Sequence, residues 1–155
     1  MTTFVKDQVS SLWNSHLTEI GRWVEKATQD TESPTPGYVH HELAKYTHQS
    51  LEESRMLEAL LMKKLETNAP RVKLKALKCV KFVVEKGHPS FGTDFKTPGR
   101  IEAIQNCLQY HGPPDPILGD SLYRSVRDEA GQVMTMLFRQ QPADGGAVVE
   151  TAGIE

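Results

Sequence analysis

The chain has 155 residues, of which 38% are hydrophobic and 25% are charged, and its net charge is −2 at pH 7. A chain of this length and composition is expected to fold as one globular domain whose core needs no disulfide or metal. The negative net charge argues against nucleic-acid binding, and no apolar run in the sequence is long enough to span a bilayer. We therefore expect any contact with membranes to be peripheral.

Residues 4–27 carry apolar side chains three and four positions apart, which predicts a long amphipathic helix. Helices that insert into a membrane interface are usually rich in lysine and arginine. Here Lys6 is followed directly by Asp7. From there to residue 18 the outer face of the predicted helix is polar and uncharged. We therefore favour packing against the core over insertion into a membrane. Residues 29–36 contain two prolines and are predicted to form a loop.

The segment after this loop is predicted to form a second helix, because apolar residues recur there at helical spacing: Val39, Leu43 and Tyr46. His40 and His41 lie in the same segment. Adjacent helical residues point about 100° apart, so these two histidines cannot hold one metal ion from one face of the helix. We interpret them as surface or partly buried side chains.

A third helix is predicted to begin after Ser50, with Glu53 three residues later in the capping-box pattern. Its apolar stripe runs as far as Leu65. Its charged residues, Glu58 among them, are predicted to lie on the outer face, with acids near the start and bases near the end, as the helix dipole favours. The short turn after Leu65 predicts an antiparallel pair with the next helix.

Residues 70–86 are the most strongly patterned segment of the chain. One broad arc of the predicted helix is apolar and the opposite side is basic. Pro70 suits the first helical turn and Gly87 suits the end of the helix. Lys73 is the exception, because its predicted direction lies inside the apolar arc, and it must therefore extend to the surface or find a partner.

The same segment has six basic side chains and one acidic one, so the basic character of the chain is local. Arg71, Lys75 and Lys78 project from one face of the predicted helix. Together with Lys64 they are our candidate surface for an acidic partner or for anionic lipid. The alternative interpretation is an ordinary solvated face with no ligand.

The C-terminal half of the chain is predicted to contain a short segment in which Phe91 and Phe95 fill the core, followed by a break at residues 96–100. A further helix is expected from Ile101 to about Tyr110. A proline-rich connector, residues 111–116, cannot continue that helix, so the prolines are assigned a structural role.

The last long helix is predicted to begin at Asp120 or Ser121 and to end near Gln140, with Phe138 on its apolar face. The remaining residues, 141–155, are rich in glycine and alanine and have no helical period. We expect residues 1–140 to form the domain and residues 141–155 to form a flexible linker or tail.

The motifs of common catalytic sites do not occur in this sequence, neither a phosphate-binding glycine loop nor a zinc-protease helix nor a serine-hydrolase turn. Cys79 and Cys107 sit at apolar helical positions without metal-ligand spacing, so we interpret them as reduced core residues of a cytoplasmic protein. No cofactor or metal is expected, and we predict that the protein is not an enzyme. A site assembled from distant residues remains the alternative.

Three stretches of the chain resemble the ENTH/VHS superhelical domains of vesicle-coat accessory proteins, most closely those of the tepsin type. The stretches are Pro36–Lys45, Val72–Lys78 and Gly112–Arg127. The resemblance covers about residues 4–139. It implies an all-α fold, namely a right-handed superhelical stack of about six to seven helices.

The resemblance also implies a function: a non-catalytic adaptor or scaffold domain of a coat-associated trafficking protein, peripheral on trans-Golgi, endosomal or vesicle membranes. The partners implied are coat and adaptor proteins, including the fourth adaptor-protein complex. The short tail contains no obvious adaptor-binding peptide, so we expect coat recruitment to depend on sequence beyond residue 155.

A peripheral domain that binds phosphoinositide or another anionic lipid is the alternative function, because epsin, a relative in this family, binds phosphatidylinositol bisphosphate. Comparison with epsin places two of the lipid-contacting positions on acidic residues, Glu25 and Asp30, and another on Val72. Basic residues are retained at Lys75 and Lys64. A carboxylate repels phosphate at contact distance, so we expect only weak, unspecific attraction to anionic membranes.

Overall fold

The computed structural model describes residues 19–140, and within this range the chain forms seven helices. They are α1 (19–27), α2 (Gly37–Gln49), α3 (Leu51–Leu65), α4 (Pro70–Lys86), α5 (Pro89–Asp94), α6 (Pro98–Leu108) and α7 (Ser121–Gln140). The helices form a right-handed superhelical stack, which confirms the predicted all-α class. The part of the predicted first helix before residue 19, and the predicted tail, lie outside the described residues.

Helix α4 lies at the centre of the stack and contacts α2, α3, α5 and α7. Its bounds are those predicted: Pro70 occupies the first turn, and the N–H of Gly87 donates to the carbonyl oxygen of Val83 at 2.7 Å. Gly87 is required by close approach, because a Cβ atom there would lie 2.7 Å from the Thr47 hydroxyl of α2. Leu77 is fully buried, in agreement with the predicted apolar arc.

Lys73 is buried inside that arc and has the partner that its position demands. Its Nζ atom donates to the carbonyl oxygen of Leu65 at 2.6 Å, and it lies 4.7 Å from the centre of the Tyr110 ring. The carbonyl belongs to the last turn of α3, where backbone oxygens have no partner within the helix. The buried lysine therefore ties the end of α3 to α4.

The other local signals give the expected elements. The Ser50 hydroxyl accepts a hydrogen bond from the N–H of Glu53 at 3.0 Å and caps α3. Phe91, inside the short α5, and Phe95, directly after it, are fully buried and stack with 5.0 Å between ring centres.

Two predictions about the C-terminal half were wrong. Helix α6 begins at Pro98, inside the predicted break, because proline is well suited to a first helical turn. Phe138 is 47% exposed. Leu137 takes the buried position at this level of α7, and Phe138 lies about 100° further round the helix.

Candidate functional site

Three of the four predicted surface residues lie on one groove. Arg71, Lys75 and Lys78 are spaced four and three residues apart on α4 and therefore share a face. That face, the loop of residues 29–36, His40, and the connector between α6 and α7 enclose a cavity of about 610 Å³. We call this cavity the basic groove.

Two of the groove's cations are held by the loop. Lys75 Nζ donates to the carbonyl oxygen of Gln29 at 2.9 Å and to the Thr31 hydroxyl at 3.2 Å, while Arg71 Nη2 lies 3.5 Å from the carboxylate of Glu32. Burial lowers the pKa of Lys75 from its usual 10.5, and Arg71 lowers it further, against the opposing effect of the Asp30 charge. Lys75 therefore serves first to fasten the loop to α4.

Lys78 is the cation that remains available. It is exposed and makes no hydrogen bond or ion pair with the part of the chain that the structure describes. A solvated ammonium group beside a groove can bind an anion without first losing an internal partner.

His40 and His41 of α2 are occupied by packing. The ring of His40 stacks on Phe82 at 5.4 Å between centres, and the ring of His41 meets the same phenyl ring edge-on at 4.8 Å. The pKa of His40 is lowered by its burial, and also by the charges of His41 and Lys78. Among residues 19–140 no three metal-binding side chains come together.

Lys64 lies apart from the basic groove. It faces α1, where its Nζ atom pairs with the carboxylate of Glu25 at 2.6 Å. The two residues border a larger cavity, about 970 Å³, between α1 and α3. The structure therefore divides the four predicted residues between two surfaces.

The connector contributes a feature that the sequence reasoning missed. The Asp115 carboxylate accepts hydrogen bonds from the N–H groups of Ile117 and Leu118 at 2.8 and 2.9 Å, and these bonds lower the pKa of Asp115. Asp115 and Gly119 also exchange two backbone hydrogen bonds, with Gly119 at a φ of 63°. This tight turn leaves Ile117 90% exposed and Leu118 41% exposed. An aliphatic pair between proline and glycine was the signal that could have revealed it.

Glu58 was predicted to lie on the outer face of α3, and that prediction was wrong. Helices α5 and α6 cover this side of α3, so Glu58 is fully buried. The Ser54 hydroxyl donates to its carboxyl group at 3.4 Å, and Arg100 lies 3.6 Å away. Burial, together with a hydrogen bond to the Asp94 side chain, raises the pKa of Glu58 to about 8. No substrate reaches a side chain that is fully buried in this way.

Both cysteines are buried and unpaired, as predicted. Burial raises the pKa of the Cys79 thiol to about 12. Burial also raises the pKa of Cys107, against the opposing effect of Lys73. Thiols that stay protonated are poor nucleophiles and poor metal ligands.

Comparison with known families decides the identity of the fold. A family model for the ENTH domain matches residues 17–141. The chain belongs to the ENTH domain family. No helix of this ENTH domain within residues 19–140 is both long enough and apolar enough to cross a membrane.

The relatives of this ENTH domain include the AP-4 complex accessory subunit Tepsin of Rattus norvegicus, with 35% identity over 83% of the chain. They also include Protein MODIFIED TRANSPORT TO THE VACUOLE 1 of Arabidopsis thaliana, with 28% identity over 92% of the chain. The chain spans 23% and 20% of the length of these two proteins. The NMR structure of a hypothetical ENTH-VHS domain from Arabidopsis thaliana superimposes with a TM-score of 0.74, at 27% identity, over 79% of this chain and 87% of that one. The resemblance to the tepsin type is therefore confirmed.

In this ENTH domain the acidic residues at the epsin-type lipid positions lie beside the retained basic ones. Glu25 is the ion-pair partner of Lys64. Asp30 lies close enough to Lys75 for its charge to raise the lysine's pKa. Lys6, the remaining cation considered for this site, lies outside the described residues.

Proposed function

We propose that this chain is the non-catalytic ENTH domain of a tepsin-like, coat-associated trafficking protein, and that it works as an adaptor by binding other proteins. The observation that carries the proposal is the internal pairing of the cations that an epsin-type site would use. Lys64 is held by Glu25, and Lys75 is held by the backbone of Gln29. A phosphate group would have to displace these partners and would still meet the carboxylates.

The proposal extends to domain limits, location and partners. Residues 1–140 form the domain, and residues 141–155 form a flexible linker or tail. The protein is cytoplasmic and peripheral on trans-Golgi, endosomal or vesicle membranes. Relatives named as AP-4 complex accessory subunits support an association with the AP-4 complex. Because the chain spans 23% of the rat relative, we assign that association to other parts of the whole protein.

The absence of enzymatic activity belongs to the same proposal. Glu58 has a raised pKa of the kind that catalytic acids can have, but it is fully buried. Burial also raises the pKa of the Cys79 and Cys107 thiols, so both are poor nucleophiles. A catalytic group must touch its substrate, and these three side chains lie in the protein interior.

The first test separates an adaptor from a lipid-binding domain. The protein is floated with neutral vesicles, with phosphatidylserine vesicles, and with vesicles that contain one of two phosphoinositide isomers of equal charge. Each exposed cation gains about 1 kcal/mol at an anionic surface. We therefore expect weak binding at low salt that is lost near 0.15 M salt, where the Debye length is about 8 Å, and no preference between the isomers.

The control for this test is a pair of charge reversals on one helix. Lys75→Glu and Lys86→Glu change the net charge equally, but only Lys75 lies in the basic groove. Equal effects of the two variants support unspecific attraction. Isomer-selective binding that survives 0.15 M salt and disappears only in Lys75→Glu would establish the lipid-binding function instead.

The second test concerns the adaptor complex. Purified AP-4 complex is titrated calorimetrically with the whole protein and, separately, with this domain. Binding by the whole protein alone supports our assignment. Binding by the isolated domain with full affinity would place the contact on the ENTH domain itself, and no binding by either would remove AP-4 from the proposal.

A further inference from the structure

The turn at residues 115–119 holds two aliphatic side chains in water. Its backbone is constrained on both sides, by the bonds from Ile117 and Leu118 to the Asp115 carboxylate and by the backbone pair between Asp115 and Gly119. Because the backbone of the turn is held in one conformation, the Ile117 side chain cannot become buried by a rearrangement of the loop. Exposed aliphatic side chains on a rigid turn are a common feature of protein-binding surfaces.

One side chain of the turn lines the basic groove. It is that of Leu118, which together with Leu74 and Leu122 gives the groove an apolar wall. Ile117 is the adjacent residue of the same turn. At about 610 Å³ the cavity is in the range of ligand-binding sites, roughly 300 to 1,000 Å³. It is large enough for one or two aliphatic side chains of a partner.

The charged lining of the groove specifies the partner's charge. It contains three cations and one carboxylate, that of Glu32, which is loosely paired at 3.5 Å with Arg71. Lys78 has no partner among the described residues, so no ion pair within residues 19–140 reduces its attraction for an anion. Carboxylates are the anions that a protein segment offers, and they complement this lining.

We infer that the basic groove binds an extended acidic peptide segment of a partner protein, with a large aliphatic side chain placed against Leu118, Leu74 and Leu122. The inference rests on the proposed adaptor function and names the chemistry of its partner. A segment of this kind supplies carboxylates to Arg71 and Lys78 and an apolar group to the wall in one contact. A flat lipid surface reaches the rim of a recessed groove but not its apolar wall.

The experiment uses two synthetic seven-residue peptides. One has a Leu-Ile pair among five acidic residues, and in the other the pair is replaced by Ser-Ser. Each is titrated into isotope-labelled protein at low salt, with affinity measured by fluorescence anisotropy and location by amide chemical shifts. We expect shifts at residues 31–35, 71–78 and 117–122, and affinity about tenfold higher for the aliphatic peptide, as partial burial of one side chain provides.

Two variants test the charged and apolar parts separately. Lys78→Glu should weaken binding of both peptides about tenfold, whereas Lys86→Glu, with the same charge change at the far end of α4, should weaken it less than about twofold. The double variant Ile117→Ser with Leu118→Ser should remove the tenfold preference for the aliphatic peptide and leave the serine peptide's affinity unchanged. Leu51→Ser, an exposed leucine on α3, is its control.

The inference is overturned by any of three results. They are the absence of shifts at the groove up to millimolar peptide, equal affinities of the two peptides, and equal effects of Lys78→Glu and Lys86→Glu. If neither peptide binds and the double variant loses binding to phosphatidylserine vesicles, the turn is a membrane-binding surface instead. These failures leave the adaptor proposal standing, since that proposal is overturned by isomer-selective lipid binding that survives 0.15 M salt, and the AP-4 titration tests its partner separately.

Discussion

Two lysines of α4, Lys73 and Lys78, lie on opposite sides of the helix and have opposite environments. Lys73 is buried and its ammonium group donates to the carbonyl oxygen of Leu65. Lys78 is exposed and has no partner among the described residues. A buried charge is tolerated only with a partner, whereas an exposed charge needs none. Lys73 is therefore part of what holds the fold together, whereas Lys78 makes no such contact within residues 19–140.

The largest effect on stability is expected from a substitution on the buried side of α4. Leu77→Ala should lower the free energy of unfolding by about 2 to 5 kcal/mol, because a fully buried leucine leaves a cavity. Urea unfolding followed by circular dichroism measures it. Leu51→Ala, at an exposed position, is the control, and a loss under about 0.5 kcal/mol at Leu77 would move that residue out of the core.

The lysine pair provides the next test. Lys73→Ala should cost about 1 to 3 kcal/mol of unfolding free energy, since it leaves the carbonyl group of Leu65 without its donor. Lys78→Ala should change stability by less than about 0.5 kcal/mol. If urea unfolding gives the same loss of unfolding free energy for both variants, Lys73 does not contribute more to stability than Lys78.

Glu58 extends the contrast to a buried acid. Its pKa is 4.5 in its ordinary state and about 8 in the fold, so the folded protein binds the extra proton between these values. The free energy of unfolding should therefore fall as pH rises from about 5 to about 8. We expect a loss on the order of 1 to 2 kcal/mol, because the charges of Arg100 and Arg55 favour the ionised carboxylate. Glu58→Gln should remove this slope, and Glu52→Gln on the exposed face should retain it. Unfolding curves at several pH values provide the measurement, and identical slopes in both variants would exclude Glu58 as the source.

The smallest effect is expected in the connector between α6 and α7. Replacing Pro113 and Pro114 by Ala should lower stability by about 0.5 to 1 kcal/mol, because each proline restricts the unfolded chain. A lowered melting temperature with unchanged peptide affinity supports the structural role predicted for the connector. Unchanged stability with lost peptide binding would assign the two prolines to the binding surface.

Local signals were sufficient to predict much of the fold. Pro70 and Gly87 bound α4 because their backbone preferences act within one helical turn. Ser50 caps α3 for the same reason, and the position of Lys73 in an apolar arc was enough to require a partner for it. Features of this kind depend only on residues a few positions apart, so the sequence contains them directly.

The rest depended on which segments meet. The polar character of Glu58 predicted an outer position, but α5 and α6 cover it, and the pattern of α3 alone contains no information about those helices. Lys64 and Lys75 were grouped by charge, yet Lys64 pairs with Glu25 of α1 and Lys75 bonds to the loop of residues 29–36. The basic groove exists only where that loop, α4 and the turn containing Leu118 come together. The sequence determined the helices and their apolar faces, whereas only tertiary packing determined which charged groups were covered, paired or left free, because burial of a side chain depends on neighbours that are distant in the chain.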